Sequence, residues 1–148
     1  MATIAAATRP RGRPDSAGGT RLIRQGSAEY PGRLEHLQRP PARLWATGPL
    51  RLPSDRMVSI VGTRRATEYG RRMATELAYG LATAGWTVVS GLARGIDGAA
   101  HRGALEADGA TVAILGCGVD RVFPAVNRDL YARVESAGLL VSEFEPGT

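Results

Sequence analysis

Between residues 57 and 148, four short apolar runs recur, and each is closed by a small or polar turn. Residues 57–61 end at Gly62, residues 86–89 at Ser90-Gly91, residues 111–115 at Gly116 and residues 139–141 at Ser142-Glu143. The segments between them have helical spacing. Thr67 is a good N-cap, and Tyr69, Met73, Leu77, Leu81 and Ala84 make one apolar stripe before Gly85 stops the helix. A second helix is expected over about 97–107, where Ala99, Ala100, Gly103 and Ala104 allow close packing on a sheet. Val126, Leu130 and Val134 mark a third helix, stopped by Gly138. Strands alternating with helices predict an α/β fold of three layers, a mostly parallel sheet with crossover helices. Near-continuous apolar strands fit a sheet covered on both faces. Right-handed crossovers bring the carboxyl ends of the strands to one rim, where open α/β sheets bind ligands.

The segment before these repeats has a different texture. Residues 1–29 hold Arg9, Arg11, Arg13, Arg21 and Arg24 against Asp15 and Glu29, with almost no large apolar side chains. Such a stretch buries too little to offset its ordering entropy, so it is expected to be a disordered basic arm. A basic arm touches nucleic acid nonspecifically, whereas an organelle transit peptide would need an amphipathic helix that is not evident here. The folded domain is expected to be 30–148, opening with a short helical piece at Leu34 and Leu37 and a strand at 44–46.

The unusual residues fall in the turns after the strands. Gly62-Thr63-Arg64, then Ser90, Gly91, Ala93, Arg94, Gly95 and Asp97, then Gly116 and Gly118 converge on one edge. Glycine lets backbone amides approach a ligand, and helix N-termini present free N–H groups, so the expected ligand is an anion such as a phosphate. Each glycine taken alone is explained by a tight turn. Asp97 is first of all an N-cap and His101 a packed helix residue. Arg64, one residue past a strand-end turn, is as much a binding group as a solvated one.

Composition excludes several chemistries. All 19 basic residues are arginine, which removes Schiff-base lysine chemistry and a G-K-[ST] phosphate loop. Arginine suits bidentate recognition of phosphate. Gly116-Cys117-Gly118 is no dinucleotide fingerprint, because Arg121 stands where the third glycine belongs. A single cysteine and isolated His36 and His101 give no metal-ligand spacing, and no cofactor is expected. Cys117 with His101 as base lacks a third orienting group. Trp45 and Trp86 sit on strand candidates and are expected in the core, while Phe123 and Tyr131 lie near the rim, where they could stack on bases. No apolar run is long enough to span a membrane.

In order along the chain, Tyr30-Pro31 with Leu34, Pro40-Pro41, V-G-T-R, S-G-L-A-R-G-I-D-G-A-A-H, G-C-G-V-D-R-V-F-P-A-V-N and S-E-F-E-P-G-T closely resemble the DNA-processing protein A (DprA/Smf) family over residues 30–148. The stretch from Ser90 to Asp97, with His101, is the most specific part. The resemblance implies an extended Rossmann-like domain in a bacterial, cytoplasmic protein. Such a protein binds single-stranded DNA during natural transformation and helps to load the recombinase RecA, without being an enzyme. It implies that Arg64 binds phosphate, that Ser90, Gly91, Ala93, Gly95 and Asp97 cradle one, and that Gly116, Gly118, Pro124 and Asn127 edge the pocket. Thr63 stands where the family usually has serine, and Glu145 where it has proline or a small residue. The family continues past this point with more sheet and an R-N-R element, so the domain is expected to be incomplete, which bears on homodimer formation and recombinase loading. The competing expectation is a nucleotide-binding protein or a nucleoside-monophosphate phosphoribohydrolase of the LOG type. Of the P-G-G-x-G-T-x-x-E element of such enzymes, only Glu145-Pro146-Gly147-Thr148 is a shadow.

Overall fold

A computed structural model describes residues 19–52 and 55–148. Six strands form one sheet in the order β1-β2-β6-β5-β4-β3. They are β1 (Arg21–Arg24), β2 (Arg43–Thr47), β3 (Met57–Ser59), β4 (Thr87–Ser90), β5 (Thr111–Leu115) and β6 (Leu139–Ser142). Helices α1 (Glu68–Thr83), α2 (Ile96–Glu106) and α3 (Arg128–Ala137) connect β3 to β4, β4 to β5 and β5 to β6. These four strands are parallel, and β2 and β1 add an antiparallel pair beside β6, so the sheet is mixed.

The strands alternate cleanly between two faces. On one, Val88, Ala113, Leu115 and Leu140 meet the helices, in two clusters that bring in Ala78, Ala100, Leu130 and Val134. On the other, Ile23, Leu44, Val112 and Val141 pack beneath Tyr30, Leu34, Leu50 and Leu52, so that irregular chain and one 3-10 turn (Gly32–His36) form the cover.

The structure corrects three expectations. The arm was expected to reach residue 29, yet Arg21–Arg24 is a strand with four residues in register with β2. Ile23 is buried there, and Arg21 pairs with Glu29 at 2.8 Å. Two apolar residues suffice because β2 supplies the backbone partners along one side of this edge strand. Residues 1–18 of the expected arm lie outside the described residues. Second, the buried face of α1 is Ala74, Ala78 and Ala82, while Tyr69, Met73 and Leu77 of the expected stripe are exposed. The helix packs tightly on α2, where a side chain at Gly103 would strike the Thr75 backbone, so only small residues fit. Third, Trp86 precedes β4 and is exposed rather than in the core. Thr67 does cap α1, its Oγ1 accepting the Gly70 N–H at 3.0 Å.

Candidate nucleic-acid interface

The turns after β3, β4 and β5 meet at the carboxyl ends of the parallel strands, as the topology requires. The first two are latched together. Gly95, with φ of +78°, lies against the backbone of Thr63 and Arg64, and a Cβ there would overlap the Thr63 carbonyl. The Ile96 N–H donates to that same carbonyl at 3.3 Å. A Cβ on Gly62 would in turn meet the Ile96 side chain at 2.7 Å.

Asp97 stitches the same two turns from below. It is buried in the first turn of α2, one carboxylate oxygen accepting the Gly62 N–H at 3.3 Å and the other the Gly91 N–H at 3.1 Å. The helix N-cap is Gly95, not Asp97. The carboxylate at an α2 N-terminus also lies at the favourable end of the helix dipole. Ser90 is buried, and its hydroxyl donates to the Ile60 carbonyl at 2.6 Å. Asn127, buried before α3, donates through Nδ2 to the Leu92 and Ala93 carbonyls at 2.9 and 3.2 Å. The side chains of Ser90, Asp97 and Asn127 therefore shape the rim from inside, with the Ser90 hydroxyl, both Asp97 oxygens and Asn127 Nδ2 occupied by protein.

What the rim offers outward is cationic. Arg64 and Arg94 are exposed, with no ion pair among the described residues. Arg94 directly precedes the Gly95 that packs on Arg64, so the two sit on adjoining turns of one edge. Thr63 is exposed, its Oγ1 accepting the Arg65 N–H at 3.1 Å, and Ala93 is half-buried between Asn127 and the Gly98 N–H. Gly116 is exposed, with nothing within 4 Å of where a Cβ would stand, whereas Gly118 is buried against Asp120 and Glu145 and donates to the Thr148 carbonyl at 3.0 Å. Beyond them Phe123 is 72% exposed. Tyr131 is not available for stacking: it is buried, its hydroxyl donates to the Val119 carbonyl, and burial pushes its pKa up to about 12.

Neither remaining nucleophile nor base is poised for chemistry. His101 is fully buried, with Nδ1 2.7 Å from Thr111 Oγ1. Burial first, helped by the nearby Arg102 charge and partly opposed by the Ser90 backbone, lowers its pKa to about 4. Burial, with the Asp120 charge, also raises the Cys117 thiol, away from the reactive thiolate. No group of three or more His, Cys, Asp or Glu among the described residues could hold a metal. No described helix is long and apolar enough to cross a membrane. The bridge by Asp97 and the bracket by Asn127 were not readable locally, since each spans more than thirty residues to one of its partners.

A DprA from Streptococcus pneumoniae superposes with a TM-score of 0.79 at 32% identity, covering 86% of this chain and 44% of that one. A Helicobacter pylori DprA, described for its single-stranded DNA binding mode, gives 0.72 at 30% identity, covering 86% and 57%. In sequence, a putative DprA of Mycobacterium tuberculosis is 50% identical over 109 residues, 72% of this chain and 28% of the relative. The Bacillus subtilis DprA is 37% identical over 131 residues, covering 88% and 44%. The chain thus spans less than half the length of these curated relatives. The sequence model of the DNA recombination-mediator protein A family matches residues 21–148, and the chain belongs to that family.

Proposed function

We propose that the rim binds single-stranded DNA by its backbone, with Arg64 and Arg94 on neighbouring phosphates, and that the chain holds the strand without cleaving it. One observation carries this: two exposed guanidinium groups, with no ion pair among the described residues, stand on turns latched to each other by Gly95 and Asp97. A guanidinium presents its donors as a rigid fork that suits phosphate oxygens, and preformed turns lower the ordering cost of binding. Because Asp97 already occupies the Gly62 and Gly91 amides, the arginines rather than those amides lead the phosphate contact. The exposed Phe123 offers a face for a base.

The Helicobacter pylori relative, described for single-stranded DNA binding, supports this reading. Handing the strand to the recombinase RecA, in the cytoplasm, belongs to the same proposal and is supported by the family's description as a recombination mediator. A nucleotide-hydrolase role has less support, since Glu145 is ion-paired to Arg43 at 2.9 Å. The test is fluorescence anisotropy with a labelled oligo-dT across a salt series. Binding should weaken with salt, with a log–log slope of about −0.7 per contacted phosphate. Salt-independent binding, or free base released from nucleoside monophosphates, would overturn the proposal.

A further inference from the structure

Gly98 lies in the first turn of α2, and its surroundings bring three elements together. The point where its Cβ would stand is 3.3 Å from Arg102 Nη1, 3.3 Å from the Ala93 carbonyl oxygen and 3.6 Å from Leu130 Cδ2 of α3. Side chains on a helix lean towards its N-terminus, so Arg102, one turn on from Gly98, folds back over that glycine towards the rim. Its guanidinium hangs at the junction of the Ala93 turn, α2 and α3. Arg94 follows Ala93 directly, and Arg128 follows Asn127, which holds the Ala93 carbonyl through Nδ2 at 3.2 Å. Three exposed arginines, from a turn and two helices, are thus gathered about one carbonyl.

That carbonyl does not engage them. It already accepts the Gly98 N–H at 3.1 Å as well as Asn127 Nδ2, which fills both its lone pairs. Among the described residues no ion pair involves Arg94, Arg102 or Arg128. Arg102 leans away from Glu106, one turn further along α2, with which an i,i+4 pair was open to it. The Asp97 carboxylate is taken by Gly62 and Gly91, which leaves Asp129, exposed in the first turn of α3, as the neighbouring acid. The positions also run against the helix dipoles. Arg128 opens α3 and Arg102 reaches back to the start of α2, and both are positive ends. Cations in such places cost stability, and a bound anion offsets that cost.

We propose that Arg102 and Arg128 together hold a third phosphate of the bound strand, next to the one on Arg94. Single-stranded DNA then turns off the strand-end rim and runs onto the helical layer where α2 meets α3. This rests on the rim reading proposed above and adds the direction in which the strand leaves it.

Anisotropy titrations of the full chain with labelled oligo-dT across a salt series test this. The double variant Arg102→Ala/Arg128→Ala should bind severalfold more weakly at low salt. Its log–log slope should be flatter by about 0.7, the share of one phosphate, because the two arginines hold the same one. Adding Arg64→Ala should flatten the slope by a further 0.7 or so, since that contact is separate. The melting temperature of the double variant should hold or rise, because two cations leave the positive ends of helices. Arg133→Ala, further along α3, removes the same charge away from the junction and should keep the native slope. A double variant with native affinity and slope, in a protein where Arg64→Ala still flattens it, overturns this proposal and leaves the rim standing. So does an Arg133→Ala slope as flat as that of the double variant, which would mean that net charge alone is read. A lowered melting temperature in the double variant would make the pair structural and overturn it as well. Salt-independent binding by the native chain would instead remove the rim reading, and this one with it.

Discussion

Asp97 accepts the Gly91 backbone N–H at 3.1 Å and, through its other carboxylate oxygen, the Gly62 N–H at 3.3 Å. One buried side chain thereby sets the spacing of two turns that lie 29 residues apart in sequence. In Asp97→Asn one acceptor becomes an NH2 that faces a backbone donor. An unsatisfied buried donor costs about 1–3 kcal/mol. Urea denaturation should show a loss of that size. Oligo-dT affinity should fall as well, with the salt slope unchanged, because the phosphate contacts keep their number.

The arginines should behave in the opposite way. Arg64→Ala and Arg94→Ala remove surface groups and should leave stability within about 0.5 kcal/mol. Each should flatten the log–log salt slope by about 0.7, and the double variant by about twice that. Arg133→Ala, exposed on α3, is the control and should change neither stability nor slope. An Arg64→Ala protein with native affinity and slope would remove Arg64 from the site.

Gly95 closes one rim turn and Gly116 opens another, and they differ in what they tolerate. Gly95 has φ of +78° and presses on Thr63 and Arg64. Gly116 has nothing within 4 Å of where a Cβ would stand. Gly95→Ala should therefore cost about 1–3 kcal/mol or more and weaken oligonucleotide binding, since the latch must open. Gly116→Ala should be close to neutral in both measurements. Paired thermal melts and anisotropy titrations separate the two outcomes.

His101 makes the fold sensitive to acid. Its pKa is lowered from 6.5 to about 4, so the folded chain binds its proton less readily than the unfolded chain. Its contribution is fully present above pH 6.5 and is lost as pH falls from 6.5 towards about 4. The total is about 3 kcal/mol by linkage. Stability of the native chain against urea, measured at half-unit pH steps, should decline over that window. His101→Gln should lose that part of the decline.

Local patterning carried much of this architecture. Residues 111–115 read as a strand and are one, because five apolar or β-branched residues between two glycine-containing turns have no competing period. β1 was illegible because R-L-I-R has only two apolar residues and depends on β2 for its pairing. The α1 stripe misled for the reverse reason. Its large residues have helical spacing, but the partner helix approaches so closely at Gly103 that only alanines fit between. At the site, the positions of the turns followed from strand ends, while the inward duties of Ser90, Asp97 and Asn127 depend on partners far along the chain.

Phe123 tests whether the rim handles bases as well as phosphates. It is 72% exposed, in the turn that leads to Asn127, whose side chain holds the Leu92 and Ala93 carbonyls just before Arg94. An aromatic face in that place stacks on a base without regard to its identity, and such contacts contribute about 1–3 kcal/mol per base. Phe123→Ala should therefore weaken oligo-dT and oligo-dA binding to similar extents, by about five- to 150-fold. The salt slope should stay native, since stacking releases no counterions. The melting temperature should not move, because so exposed a side chain adds little to the core. A flattened slope in this variant would mean that the turn itself shifts and carries a phosphate contact with it. Unchanged affinity would leave the arginines as the whole of the binding surface.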